Sequence, residues 1–276
     1  MARLWIDTDV GTNVDDAIAL LAALAHPDVD LVGVSTIGED PEAGAEVVAR
    51  LFEAVGIDAA GIPVAAGTAR ALEAIAALPA APEALLAIGP LTTVAGFTRS
   101  GLRPRQLTIM GGTLAPVHHR GAVRSVESNF ARDPAAAEAA LAVPGATIVP
   151  LDATVATRLD ERSQHKLIEA APVLEPLVKE WLDAQAATGV PVEDIAVHLH
   201  DPAALLVAAG EPVARTIESR RLAVEADGRL VEKETGTQHD VVTALYATTV
   251  IALVVALLGA GPQPSPPGVG RGSVIP

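Results

Sequence analysis

The stretch from Trp5 to Leu24, WIDTDVGTNVDDAIALLAAL, constrains this chain more than any other. Leu4, Trp5 and Ile6 form a short apolar run that reads as a buried strand. Asp7-Thr8-Asp9 and a Gly11-Thr12-Asn13 turn follow, and Asp15-Asp16 open an apolar segment long enough for a helix. Four carboxylates therefore crowd one strand-to-helix crossover. In an open α/β sheet, the crevice beyond the carboxyl end of a strand is where ligands bind.

Carboxylates so placed repel one another. A helix N-terminus relieves each charge by only about 0.3–1 kcal/mol. A bound divalent cation is the natural remedy, and an all-oxygen donor set suits Ca²⁺ or Mg²⁺. Asp7 and Asp9 lie two apart and share one face of extended backbone. Asp15 and Asp16 are neighbours on a helix and diverge by about 100°. One of that pair can reach a metal while the other faces something else.

Composition narrows the partners. A net charge of −15 argues against nucleic acid or an anionic membrane surface. Half of the 276 residues are hydrophobic and 19% are charged, enough for a sizeable core. Aromatics are only 2%, so that core must be aliphatic and rich in alanine. There is no cysteine, hence no disulfide or thiolate chemistry, which fits a cytoplasmic protein. No basic region followed by an apolar core opens the chain, so no export signal is expected. Val241 to Ala260 carries no charge and has the length of a membrane span, but it lacks basic flanks. It is expected to be a terminal helix buried in the core or in a contact between subunits.

Further on, Asp30–Ile37, Ile62–Ala66, Ala84–Ile88, Gln106–Met110 and Ala146–Leu151 read as strands that alternate with helical stretches. This pattern predicts a mostly parallel open α/β sheet flanked by helices, Rossmann-like. Leu114 to Arg132 reads as a long polar loop, with His118 and His119 exposed by default. Asp152 reads as a strand-end cap. His198-Leu199-His200-Asp201-Pro202 opens a helix with Asp201 as the expected N-cap. Thr216–Glu225 and Arg229–Glu234, joined by Asp227-Gly228, form a C-terminal hairpin. One domain is expected over residues 1–260, and the Pro/Gly-rich tail 261–276 is expected to be disordered.

Four pieces together resemble the inosine-uridine-preferring nucleoside hydrolase family. They are Asp7-Thr8-Asp9 with Asp15-Asp16-Ala17; AIGPLTTVA from Ala87; Met110-Gly111-Gly112 with Glu127-Ser128-Asn129-Phe130 and Asp133-Pro134; and His200-Asp201-Pro202. The resemblance implies Ca²⁺-assisted hydrolysis of an N-ribosyl bond. Carried over by position, Asp9, Asp16 and Asp201 would ligate the metal by carboxylates and Ile88 by its carbonyl. Asp15, Asp40, Glu127 and Asn129 would bind the ribose. Asp9 would take a proton from the attacking water, and His200 would serve the leaving base. Homo-oligomerisation is expected on the same ground.

The chain also departs from the family pattern. The aspartate cluster carries two extra residues and Val10 in place of proline, and Thr93 replaces an asparagine. The segment between Gly67 and Ala84 is short and has no histidine-glycine loop, so the base pocket is expected to be altered. Two other readings compete. One is a relative that binds ribosides or metal without turnover. The other is a haloacid-dehalogenase-like phosphatase with Asp7 as nucleophile and Mg²⁺ as metal.

Overall fold

The computed structural model describes residues 1–57 and 61–263, so the tail from 264 to 276 lies outside the described residues. Four strand–helix units open the chain: β1 (Ala2–Thr8), α1 (Val14–Ala25), β2 (Val29–Thr36), α2 (Pro41–Ala54), β3 (Val64–Ala66), α3 (Gly67–Ala77), β4 (Ala84–Ala87) and α4 (Thr92–Ser100). β5 (Gln106–Met110) leads to a small hairpin, β6 (Val117–His119) and β7 (Ala122–Arg124), then to α5 (Ser128–Arg132), α6 (Pro134–Leu141) and β8 (Thr147–Val149). Next come α7 (Leu151–Thr154), α8 (Glu161–Ala170), α9 (Glu175–Ala187) and α10 (His200–Ala208). β9 (Ala214–Val224), β10 (Leu230–Glu232), β11 (Thr237–Leu245) and α11 (Ala247–Ala260) close it.

The main sheet runs in the order β10-β9-β11-β8-β5-β4-β1-β2-β3. From β3 to β11 every pairing is parallel, and β9 and β10 add an antiparallel edge. The winding goes outward from β1 to β2 and β3, then returns to β4 on the other side. The gap between β1 and β4 is therefore the topological switch point. Asp7 and Thr8 end β1 there, and Ile88 follows β4.

Burial explains why this centre is rigid. All twelve residues of α1 are buried, because α1 is packed against α10 and α11 as well as β2. Beyond Asp15 and Asp16 the helix is apolar all round and has no solvent face to offer. Trp5 sits opposite Gly33 in the β1–β2 pairing. A Cβ at Gly33 would fall 2.1 Å from the indole, so only glycine lets the ring lie across the neighbouring strand. Trp5 Nε1 then donates to Ser35 Oγ at 2.9 Å.

Three sequence expectations change. Val241–Leu245 belongs to β11, held between β8 and β9, so the apolar helix is only α11, of 14 residues. No helix among the described residues is long and apolar enough to cross a membrane. Leu114–Arg132 is not a plain loop but carries β6, β7 and α5. Asp201 is not an N-cap: α10 starts at His200, and its cap position, Leu199, makes no side-chain cap bond.

The C-terminal hairpin reaches back toward α5. Gly228, at its turn, has φ +86°, and a Cβ there would meet the Phe130 carbonyl oxygen at 2.6 Å. Leu230 covers Gly112, where a Cβ would fall 2.7 Å from the leucine Cδ2.

Candidate active site

Asp9, Asp15, Asp16 and Asp201 are buried together at the switch point, each no more than 6% exposed. The turn that follows β1 delivers Asp9, the first turn of α1 delivers Asp15 and Asp16, and the first turn of α10 delivers Asp201. One carboxylate oxygen each from Asp15, Asp16 and Asp201 lies within 4.8 Å of the others. Gly89 permits the close approach beneath, since a Cβ there would sit 2.8 Å from the Asp9 nitrogen.

Burial lifts every one of these carboxyls. Asp9 rises from the ordinary 3.8 to about 6, with Arg132 opposing the shift and Asp15 adding to it. Asp15 is raised by burial against the pull of Arg120. Asp16 and Asp201 are pushed well above the usual carboxylate range, by burial first and then by the neighbouring aspartates.

Two guanidiniums offset part of the charge. Arg132 Nη1 pairs with Asp9 Oδ2 at 3.1 Å. Arg120 lies near Asp15 and Asp201, gives a hydrogen bond to Asn13 Oδ1 at 3.1 Å and stacks 4.9 Å above the Trp181 ring. Its φ of +51° is unusual for a residue with a side chain. It forms, with Gly121, the tight turn between β6 and β7, where both positions take positive φ.

The residues expected to hold a sugar are differently occupied. Glu127 caps α5: its carboxylate accepts the backbone N–H groups of Gly112, Asn129 and Phe130 and the Ser128 hydroxyl. Asn129 Nδ2 donates to the carbonyls of Ile88 and Met110 at 3.2 and 3.3 Å. The Ile88 carbonyl, expected to face a metal, therefore already accepts one hydrogen bond. Asp40 lies apart: it is exposed and caps α2 by accepting from Ala43 N. It does not line the cavity, because β2 ends before it and the chain turns into α2. Asp152 accepts from Thr113 Oγ1 and Leu114 N, a loop-holding role.

A cavity of about 430 Å³ opens over the cluster, lined among others by Asp9, Asp15, Glu127, Asn129, His200 and Asp201. Asp15 lines it and Asp16 does not, yet one oxygen of each lies within 4.8 Å of the other and of Asp201, so the adjacent pair converges on one candidate cation position rather than facing apart. Asp7 is fully buried, accepts from Ser35 Oγ at 2.5 Å and does not line the cavity. It has no path to a phosphoryl group, and the phosphatase reading is set aside.

Three histidines form the opposite part of the site. His119, His198 and His200 are at most 9% exposed, with ring centroids 4.8 to 5.1 Å apart. His198 Nδ1 meets the Ala196 carbonyl at 3.1 Å, and His200 Nδ1 meets Thr154 Oγ1 at 2.8 Å. Burial lowers His119 to about 3 and His198 to about 4, and holds His200 well below 6.5. His118, in contrast, is exposed and lies 3.7 Å from Asp194. Sequence reasoning missed His119, Arg120 and Arg132. The alternation of sides along β6 next to an Arg-Gly turn was the available signal for separating His119 from His118.

The acidic residues fit a hard divalent cation. Asp16 Oδ1 accepts from Thr8 Oγ1, whereas its Oδ2 is buried with no partner. With Glu127 beside them, the four aspartates outnumber the two guanidiniums, and a divalent ion would offset much of the excess negative charge. The donors are all oxygen, as Ca²⁺ requires.

The model of a family described as inosine-uridine preferring nucleoside hydrolase matches residues 4–252. Among solved structures, a plant nucleoside hydrolase superposes with a TM-score of 0.76 at 20% identity, covering 94% of this chain and 99% of that one. The inosine-uridine preferring nucleoside hydrolase from Bacillus anthracis gives 0.70 at 19% identity, covering 94% and 100%. A purine-preferring ribonucleoside hydrolase from Gardnerella vaginalis gives 0.74 at 20%, covering 93% and 99%. At such identities these structures share the fold. No curated protein sequence matches the chain.

Proposed function

The chain belongs to the inosine-uridine preferring nucleoside hydrolase family, and on that premise we propose that it hydrolyses the N-glycosidic bond of a ribonucleoside or a related N-riboside, with Ca²⁺ as its metal. The observation that carries the reading is the joint burial of Asp9, Asp15, Asp16 and Asp201 at the switch point, beside a cavity of about 430 Å³. That volume falls in the range of roughly 300–1,000 Å³ usual for small-molecule sites.

Asp9, Asp16 and Asp201 would hold the ion by carboxylates and Ile88 by its carbonyl. Bound there, Ca²⁺ would supply a fixed positive charge that acidifies a nearby water and orients vicinal hydroxyls. Asp15, facing the cavity, would accept from a ribose hydroxyl. Glu127 and Asn129 would offer what their existing hydrogen bonds leave free. The transition state carries positive charge on the sugar ring, which the acidic wall stabilises. Asp9 would take the proton of the attacking water; a carboxyl with a pKa of about 6 is ionised at neutral pH and still a useful base.

His200 would meet the leaving base through Nε2. Thr154 Oγ1 donates to the Leu151 carbonyl at 3.3 Å, so the short contact to His200 is best satisfied by a proton on Nδ1. His200 must therefore gain a proton before it can give one. Bases that leave readily would be favoured. Homo-oligomerisation, through family resemblance, and a cytoplasmic location, through the lack of cysteine, belong to the same proposal.

Release of reducing sugar from a panel of nucleosides, with Ca²⁺ and with a chelator, tests the reading. Chelator-sensitive release supports it. The Arg132–Asp9 pair favours a second reading, riboside binding without turnover, because it partly neutralises the base. Tight binding with no sugar released would select that one.

A further inference from the structure

We propose that His119, His198 and His200 form a second cation site, for a borderline transition-metal ion such as Zn²⁺, beside the carboxylate site. One ring nitrogen from each lies within 4.8 Å of the others. Zn–N bonds of about 2.0–2.1 Å place tetrahedral ligands roughly 3.3 Å apart, so the nitrogens need to close in by about 1 Å or less, and the His198 and His200 rings, stacked 2° from parallel, need to turn toward a common point.

Several independent observations point to a ligand. His200 Nε2 and His119 Nδ1 are buried and have no hydrogen-bond partner. Such atoms are costly to leave unsatisfied. His198 Nδ1 can only donate to the Ala196 carbonyl, which leaves a lone pair on its Nε2. The Thr154 contact does the same for His200. Metal-ligating histidines are oriented in this way, by a second oxygen on the nitrogen that does not bind the ion. The donor sets also differ in kind: imidazoles suit Zn²⁺-class ions and the aspartates suit Ca²⁺. Arg120, Arg124 and Arg158 are unfavourable neighbours, but the Arg120 guanidinium is engaged by Asn13 and Trp181 and lies near Asp15 and Asp201.

Three imidazoles leave a fourth position open. An ion here would occupy His200 Nε2, the atom assigned to the leaving base, and suppress turnover. The site stands without the hydrolase reading; only this consequence rests on it.

The test is Co²⁺ and Zn²⁺ binding to the full chain in saturating Ca²⁺, by visible absorption and calorimetry. One equivalent should bind with a nitrogen-ligated tetrahedral Co²⁺ spectrum. His119→Ala and His198→Ala should each weaken it at least on the order of 10–100-fold, the loss that even an outer-shell change can cause. His118→Ala should leave it intact. Unchanged binding in the first two variants, or an ion displaced one for one by Ca²⁺, would overturn the proposal. If either alanine variant fails to fold, imidazole resonances of the unmodified protein decide. Three buried rings shifting together on Zn²⁺ addition support the site, and shifts confined to exposed histidines sink it. Because the readout is binding, absence of hydrolysis leaves the result interpretable.

Discussion

Arg132 Nη1 lies 3.1 Å from Asp9 Oδ2, joining the last residue of a five-residue helix to the first carboxylate after β1. The pair places a fixed cation where a metal would compete for the same charge. Arg132 is about a third exposed, so the contact is worth only about 0.2–1 kcal/mol. Arg132→Met should therefore tighten Ca²⁺ binding by at most about fivefold, read by calorimetric titration. Weaker binding would show that Arg132 holds Asp9 in place rather than competing for it.

The carboxylate cluster predicts how calcium stabilisation varies with pH. Asp9, Asp15, Asp16 and Asp201 all have raised pKa values in the fold. Above the unfolded value of 3.8, the unfolded chain has released protons that the fold retains. Without metal, stability therefore falls as pH rises toward the folded values. A bound cation favours the ionised forms and reverses the loss. The gain in Tm on adding Ca²⁺ should grow from pH 5 to pH 8, and a flat gain would exclude these groups as ligands.

Asp7 gives a cleaner case of the same sign. Burial raises it from 3.8 to about 7, against its hydrogen bond from Ser35. Stability should fall between pH 4 and 7 by on the order of 4 kcal/mol at most. Asp7→Asn keeps an acceptor for Ser35 and removes the ionisation. Denaturant titrations in chelator should show it more stable than the parent at pH 8 and nearly equal at pH 4. Equal stability at both would mean that the ionised group is tolerated in the fold.

His200→Ala should separate substrates by leaving group. Ordinary nucleosides should slow by on the order of 10²–10⁴, whereas an activated aryl riboside should change little. Matching losses in kcat on both would remove His200 from leaving-group chemistry.

Gly89→Ala would press a methyl group against the Asp9 nitrogen, at 2.8 Å before relaxation. A cost of roughly 1–3 kcal/mol is expected, together with weaker Ca²⁺ binding although no ligand is changed. Normal affinity in a destabilised protein would show that Asp9 holds its place independently of the β4 end.

The sheet was legible because its strands are short apolar runs ending in polar turns, and the aspartates stand at those ends. Gln106–Met110 matches the structure residue for residue. What escaped was set by contacts distant in sequence. Val241–Leu245 is apolar enough for either element, and only its partners β8 and β9 make it a strand. Arg132 and Arg120 belong to a stretch that reads only as a polar loop, and it is the fold that sets them against Asp9 and Asn13. Asp40 carried the right chemistry at a strand end, but the turn that follows spends it on a helix cap.

The hairpin of β9 and β10 carries no proposed ligand, yet Gly228 lies against Phe130 and Leu230 covers Gly112. Five residues of α5 are too few to hold a helix unaided. Trimming this remote edge to make a shorter protein would thus pull the splint from behind Asn129 and Arg132. Inactivating changes should turn up at Leu230 as readily as among the acids themselves.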